Sequence, residues 1–318
     1  MIHLKDKKIE LNKKSAITLG NFDGIHRGHQ RLIENIVNYS KTHKDDDVQA
    51  LVFSFNPHPR SIFTGEALPH ILTPEEKIKK MEAMGVDIFL EYPFDIEFSG
   101  VDPETFLQVL LKETLNCAYI TVGENYRFGR KGEGDIHLLK AFAQKNGIDV
   151  QIEQVMNLEE TNMQISSTNI KKALEEGNIP LANKMLGYEF FYEGVVEYGK
   201  QIGHTIGFPT ANLAHGTYKL DPHLGVYVTH TIVDGKEHLS VTNVGDNPTV
   251  NGDKIVIETH IMGFEQDIYG KEIKVKFFEK IRDQKKFASL DELKKQIDLD
   301  SAYACNWQKN VDINRINP

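Results

Sequence analysis

From the N-terminus to about residue 185, short apolar runs alternate with helix-like segments, and this alternation constrains the fold more than any other feature of the chain. The runs 16–19, 48–55, 86–90, 118–122 and 148–155 read as strands. The helices between them have legible ends. Thr73-Pro74-Glu75-Glu76 is a capping box with proline at the first helical position, and Gly85 stands where a left-handed C-terminal residue is expected. Asp102-Pro103 opens another helix, with Phe106, Leu107, Leu110 and Leu111 at helical spacing. Alternating β and α elements form a parallel sheet with helices on both faces, and ligands bind beyond the carboxyl ends of its strands.

After Leu186-Gly187 the pattern turns to hairpins. Runs 226–233 and 239–244 flank Asp234-Gly235, a dipeptide suited to a type I′ turn, and Asn251-Gly252 precedes the run 254–261. A further strand covers 273–281. Ser289-Leu290-Asp291-Glu292 is a second capping box, opening a final helix with Leu290, Leu293 and Ile297 on one side. The expected architecture is therefore α/β plus all-β: a parallel-sheet domain over 1–185, then an antiparallel barrel closed by a C-terminal helix over 186–318. A length of 318 residues accommodates two such cores. No run approaches the ~18 apolar residues of a membrane helix, and the N-terminus turns charged too early for a secretory signal. Cys117 and Cys305 sit in no metal or disulfide spacing, so reduced thiols and a cytoplasmic location are expected. The net charge of −9 argues against non-specific nucleic-acid binding. Monomer and homo-oligomer are both compatible with the chain.

Gly20-Asn21-Phe22-Asp23-Gly24-Ile25-His26-Arg27-Gly28-His29 follows the first of these strands and runs into a helix. Its glycines permit a tight turn, and the helix start offers N–H groups and a favourable dipole to phosphate. His26 and His29 can point the same way and donate to a phosphate in the transition state, which suits nucleotidyl transfer; a metal site or a simple cap are the competing readings. The dinucleotide and Walker patterns are both absent. At further strand or helix ends stand Phe55-Asn56-Pro57-His58-Pro59-Arg60, Gly123-Glu124-Asn125 and Ile165-Ser166-Ser167-Thr168, the last leading to Lys171.

In the second half, Gly199, Lys200, Gly203 and Gly207 form a loop able to fold over phosphates. Thr210 and Asn212 carry hard oxygen ligands suited to Mg²⁺, although a hairpin loop with buried polar residues reads equally well. Glu258, beside His260 on one strand face, can deprotonate an alcohol or simply be solvated.

Taken in order along nearly the whole chain, these motifs resemble the bacterial bifunctional riboflavin kinase/FMN adenylyltransferase family. The segment 20–29, Asn56-Pro57-His58-Pro59 and Ile165-Ser166-Ser167-Thr168 are similar to its adenylyltransferase module. Gly207-Phe208-Pro209-Thr210-Ala211-Asn212, Asn243-Val244-Gly245-Asp246-Asn247-Pro248-Thr249, Glu258-Thr259-His260 and Asp267-Ile268-Tyr269-Gly270 are similar to its kinase module. The resemblance implies a HUP-type, Rossmann-like nucleotidyltransferase fold and a six-stranded flavokinase barrel. It implies phosphorylation of riboflavin to FMN and adenylylation of FMN to FAD, with ATP and Mg²⁺ and no nucleic-acid or membrane partner. It further implies that His26 and His29 stabilise the reacting phosphates. Gly20, Asn21, Phe22, Asp23, Gly24, Asn125, Ser167, Thr168 and Lys171 would then serve ATP; Phe55, Asn56, Pro57, His58, Arg60 and Arg282 would lie near flavin. In the barrel, Thr210 and Asn212 would hold Mg-ATP and Glu258 would be the base. Lys171 stands where the family usually has arginine, and Gln284 where many relatives have glutamate. An enzyme retaining one activity, a flavin-sensing regulator and a class I aminoacyl-tRNA synthetase are the alternatives. The synthetase is disfavoured by the barrel motifs, and an RNA-binding regulator by the absence of a basic, aromatic strip.

Overall fold

The computed structural model describes residues 1–7, 9–198, 208–213, 218–249 and 252–316, so Gly199, Lys200, Gly203 and Gly207 lie outside the described residues. The chain forms two compact units, Met1–Ser167 and Thr168–Pro318. In the first, β1 (Ile2–Leu4), β2 (Ser15–Leu19), β3 (Gln49–Asn56), β4 (Ile88–Pro93), β5 (Cys117–Gly123) and β6 (Asp149–Glu153) form a parallel sheet in the order β1-β4-β3-β2-β5-β6. All five residues of β2 are buried, as a strand covered on both faces requires. Ile17, Leu19, Leu51, Phe53, Ile88, Leu90, Ile120 and Val122 meet Leu107, Leu110, Leu111 and Leu139 on one face. On the other side the helix Arg27–Thr42 buries Leu32, Ile33, Ile36 and Val37.

Chain order reverses between β2 and β5, which makes the crevice at their carboxyl ends the switch point where open α/β sheets bind ligands. The helix Pro74–Ala83 has the expected reciprocal cap: Glu76 N–H donates to Thr73 Oγ1 at 3.2 Å, and Thr73 N–H to Glu76 Oε2 at 2.9 Å. Gly85 closes it at φ 86°. Two details differ from expectation. The charged N-terminus supplies the edge strand β1, and the segment Phe106–Thr114 is wound as a π-helix. Phe106, Leu107, Leu110 and Leu111 are all buried in it, so the apolar spacing specified the inward face without specifying the hydrogen-bond period.

In the second unit, β7 (Phe191–Glu197), β8 (Ala211–Leu213), β9 (Gly225–Val233), β10 (Lys236–Thr249), β11 (Gly252–Ile261) and β12 (Glu272–Asp283) close an antiparallel barrel in the order β10-β11-β8-β7-β12-β9. Asp234 and Gly235 both have positive φ, as a type I′ turn demands. At Gly225 a Cβ would lie 2.5 Å from the Arg282 carbonyl oxygen, so only glycine lets β9 meet β12 there. The interior is partly polar. Thr231, Ser240, Thr229, Thr242 and Thr259, all fully buried, join hydroxyl to hydroxyl in a line at 2.7–2.9 Å. The helix Leu290–Ile316 covers the barrel with Ala304 and Asp300 buried, whereas Leu290 at its start is 55% exposed. The cap at Ser289 is also shifted. Its Oγ accepts from Glu292 N–H, but the Glu292 carboxylate reaches Ala288 N–H. Arg282 fastens this helix, with Nε and Nη2 on the Asp300 carboxylate at 2.8–3.1 Å.

Candidate functional site

The turn after β2 is held in an unusual conformation. Phe22 and Ile25, both fully buried, have φ of 51° and 38°, and Gly24 has φ of 80°. A Cβ at Gly24 would stand 2.9 Å from Ile71, so this glycine admits the neighbouring segment. That segment is bonded in place: Ile71 N–H donates to Asp23 Oδ1 at 2.8 Å, and Ser167 Oγ donates to the Asp23 carbonyl at 2.8 Å. Phe22 and Asp23 therefore use their side chains to build the turn. Thr168 and Lys171 follow Ser167 on the helix Ser167–Glu175, within the second compact unit.

His26 caps the helix Arg27–Thr42, its Nδ1 accepting the His29 backbone N–H at 3.4 Å. An imidazole accepting at Nδ1 carries its proton on Nε2, so His26 is a neutral donor at that atom. The two rings stack with centroids 3.7 Å apart, and His29 also tilts against Phe22 at 5.0 Å. Burial pushes the His26 pKa down to about 4, against a smaller opposing pull from Asp23. Burial first, then the charges of His26 and Lys77, hold His29 well below the ordinary imidazole value. His29 Nδ1 is buried with no hydrogen-bond partner among the described residues. Two neutral rings at a helix N-terminus can donate to phosphate oxygens without competing for a proton.

Gly20, Asn21, Phe55 and Asn125 line a cavity of about 830 Å³ together with Phe94 and Phe98. Its aromatic walls suit a planar heteroaromatic ring. Phe94 and Phe98 were missed in the sequence, where they appear only as two aromatic residues four apart just past a strand end. Asn56-Pro57 is a cis peptide. His58 caps the short helix Pro59–Thr64, on which Arg60 is exposed, through Nδ1 accepting from Arg60 N–H at 3.0 Å. His58 Nε2 lies 2.8 Å from the Asn21 side-chain Nδ2. The turns after β2 and β3 are joined by that bond.

In the barrel, Asn212 pairs in register with Glu258, and Glu258 with Asn243 on the next strand. Ile257, Thr259 and Ile261 are buried while Glu258 and His260 are half-buried, so alternation sets the carboxylate on the outer face. His260 Nδ1 lies 3.0 Å from the Pro209 carbonyl. Thr210 lines a separate cavity of about 310 Å³ with Thr259, Asp267 and Tyr269. Among the described residues no group of three or more His, Cys, Asp or Glu could hold a metal ion. Arg282 is engaged by Asp300 and by the Asp283 carbonyl at 3.0 Å. No helix among the described residues is long and apolar enough to cross a membrane.

Comparison with known proteins gives concordant matches to both halves. The FAD synthetase family model matches residues 8–169, and the riboflavin kinase family model matches residues 186–308. The chain is 36% identical over 291 residues to the bifunctional riboflavin kinase/FMN adenylyltransferase of Escherichia coli K12, covering 91% of each chain. It is 31% identical to the protein of the same description from Bacillus subtilis, covering 95% of each. A crystal structure from Streptococcus pneumoniae described as a macrolide-efflux protein superposes with a TM-score of 0.85 at 32% identity, covering 96% of this chain and 100% of that one.

Proposed function

The chain belongs to the bifunctional riboflavin kinase/FMN adenylyltransferase family, and on that premise we propose which residues carry each of its reactions. The enzyme phosphorylates riboflavin to FMN and adenylylates FMN to FAD, releasing pyrophosphate. The residues 1–185 are proposed to perform adenylylation and 186–318 phosphorylation, in the cytoplasm where ATP is supplied. The observation that carries the first assignment is the stacked histidine pair at the helix start, at the sheet's switch point. An FMN phosphate oxygen attacks the α-phosphorus of ATP as the bond to pyrophosphate breaks. His26, through Nε2–H, and His29 donate to the oxygens on which charge accumulates, and the N–H groups of the helix Arg27–Thr42 add to that field. No proton need leave the nucleophile, which is already ionised. Gly20, Asn21 and Gly24 shape the phosphate turn; Asn125, Ser167, Thr168 and Lys171 are further ATP contacts, and Phe55, Asn56, Pro57, His58 and Arg60 border the flavin. His29→Ala should slow FAD formation from FMN by about a hundredfold and leave riboflavin phosphorylation intact. Near-normal FAD formation by this variant would refute the assignment.

For phosphorylation, Glu258 is proposed to take the proton of the riboflavin 5′-hydroxyl as the oxygen attacks the γ-phosphorus of ATP. Its place in register between Asn212 and Asn243 supports this, because amide groups flanking a carboxylate orient it. The Thr210 hydroxyl and the Asn212 amide oxygen are hard, neutral donors, which fits Mg²⁺ held mainly through substrate phosphates. Bound there, the cation would supply neutralisation of the transferring phosphoryl group. Arg282, taken up by Asp300, is proposed to serve the flavin end of the barrel by fixing the helix Leu290–Ile316.

A further inference from the structure

We propose that the Lys77 ammonium is a phosphate-binding group of the adenylyl-transfer site. The proposal rests on the assignment of that site to the turn after β2. Lys77 belongs to the first turns of the helix Pro74–Ala83, where a cation faces the positive end of the helix dipole and is locally unfavourable. A cost of that kind is accepted where the charge has a use. The helix cannot drift from the turn. Its entry is pinned by the Ile71 N–H bond to Asp23 and by the close approach of Ile71 to Gly24, and its start by the Thr73–Glu76 cap. From there Lys77 Nζ donates to the Asn21 carbonyl at 3.1 Å. Asn21 lines the large aromatic cavity, and its side chain meets His58. The ammonium is also close enough for its charge to act on His29.

The chemistry explains why such a charge is needed. His26 and His29 donate as neutral rings, so they stabilise growing charge without offsetting the charge brought in by an FMN phosphate and an ATP triphosphate. Lys77 adds a full positive charge to the same turn. Its phosphate could belong to either substrate, and kinetics separates the two.

The test uses the full chain with Lys77→Gln, which keeps a donor for the Asn21 carbonyl but no charge, and Lys77→Arg, which keeps the charge. FAD formation is measured while FMN and ATP are varied in turn, with thermal unfolding recorded for each variant. The glutamine variant should lose at least tenfold in kcat/KM and the arginine variant should recover most of it, with unfolding temperatures unchanged. A raised KM for FMN alone assigns the flavin phosphate, and one for ATP alone assigns the triphosphate. If both variants are within twofold of the parent, or both are equally impaired, the proposal is overturned, the second result marking a mere tether. His29→Ala run in parallel distinguishes the failures. Lost activity there with a normal Lys77→Gln removes only the lysine's role, whereas normal activity in both removes the site assignment as well.

Discussion

His26 and His29 stack at 3.7 Å, and two imidazolium rings that close would repel, so charge on His26 opposes protonation of His29, while burial keeps His26 itself neutral. For His26 the folded pKa of about 4 lies below the ordinary value of 6.5. The unfolded chain therefore binds more protons in that window, and stability is lost as pH falls from 6.5 toward 4, levelling off below. At about 1.4 kcal/mol per pKa unit the loss is ~3 kcal/mol for this ring. Denaturant titrations at pH 7 and pH 4.5 should show His26→Gln losing less stability on acidification than the parent chain. The same neutrality bears on catalysis. The pH profile of FAD formation should show no loss between pH 8 and pH 6 from imidazole titration. A gain in rate with a midpoint near 6.5 on acidification would mean that a charged ring is the working form.

The pair formed by Arg282 on β12 and Asp300 on the covering helix shows how one contact fixes an element. Asp300 is 3% exposed and accepts both Nε and Nη2 of the guanidinium. Asp300→Ala would leave Arg282 without its carboxylate partner and should cost about 3 kcal/mol, read from the urea midpoint; Arg282→Met with Asp300→Leu should recover much of it. The sequence does not disclose this pairing, because nothing local links a strand arginine to a helix aspartate 18 residues on. By contrast, the helix Pro74–Ala83 was legible to the residue, since a capping box is a local device. Strands β2 to β6 were legible because each carries apolar residues in an unbroken or alternating run. Strand β1 was not: its three residues sit in a charged stretch, and only pairing with β4 makes them a strand. The histidine turn was readable as a motif. Lys77 was not, because its place depends on the approach of Ile71 to Gly24, which sequence distance conceals.

At the scale of the whole molecule, the family matches break after residue 169 and resume at 186, while the compact units divide at Ser167. The helix Ile179–Leu186 lies between, and it is bonded into the barrel unit: Asn183 donates to the Phe277 carbonyl and accepts from Phe190 N–H, both at 2.8 Å. His223 N–H likewise reaches the Leu174 carbonyl. A fragment of 168–318 should therefore melt at a higher temperature than one of 187–318, its stability being greater by roughly 2–5 kcal/mol for the buried groups the shorter piece leaves unpaired. Equal melting of the two would show that these helices contribute nothing to the barrel. Within that barrel the line of hydroxyls from Thr231 to Thr259 has a consequence of its own. Five hydroxyls joined by four bonds use four protons and have one left over, and that surplus proton can reside on any of the five without breaking a bond. The interior is thus degenerate in hydrogen position while fixed in every heavy atom. Thr259 forms one end of the line and part of the cavity wall, so an acceptor placed there draws the spare proton toward itself and a donor sends it back toward Thr231.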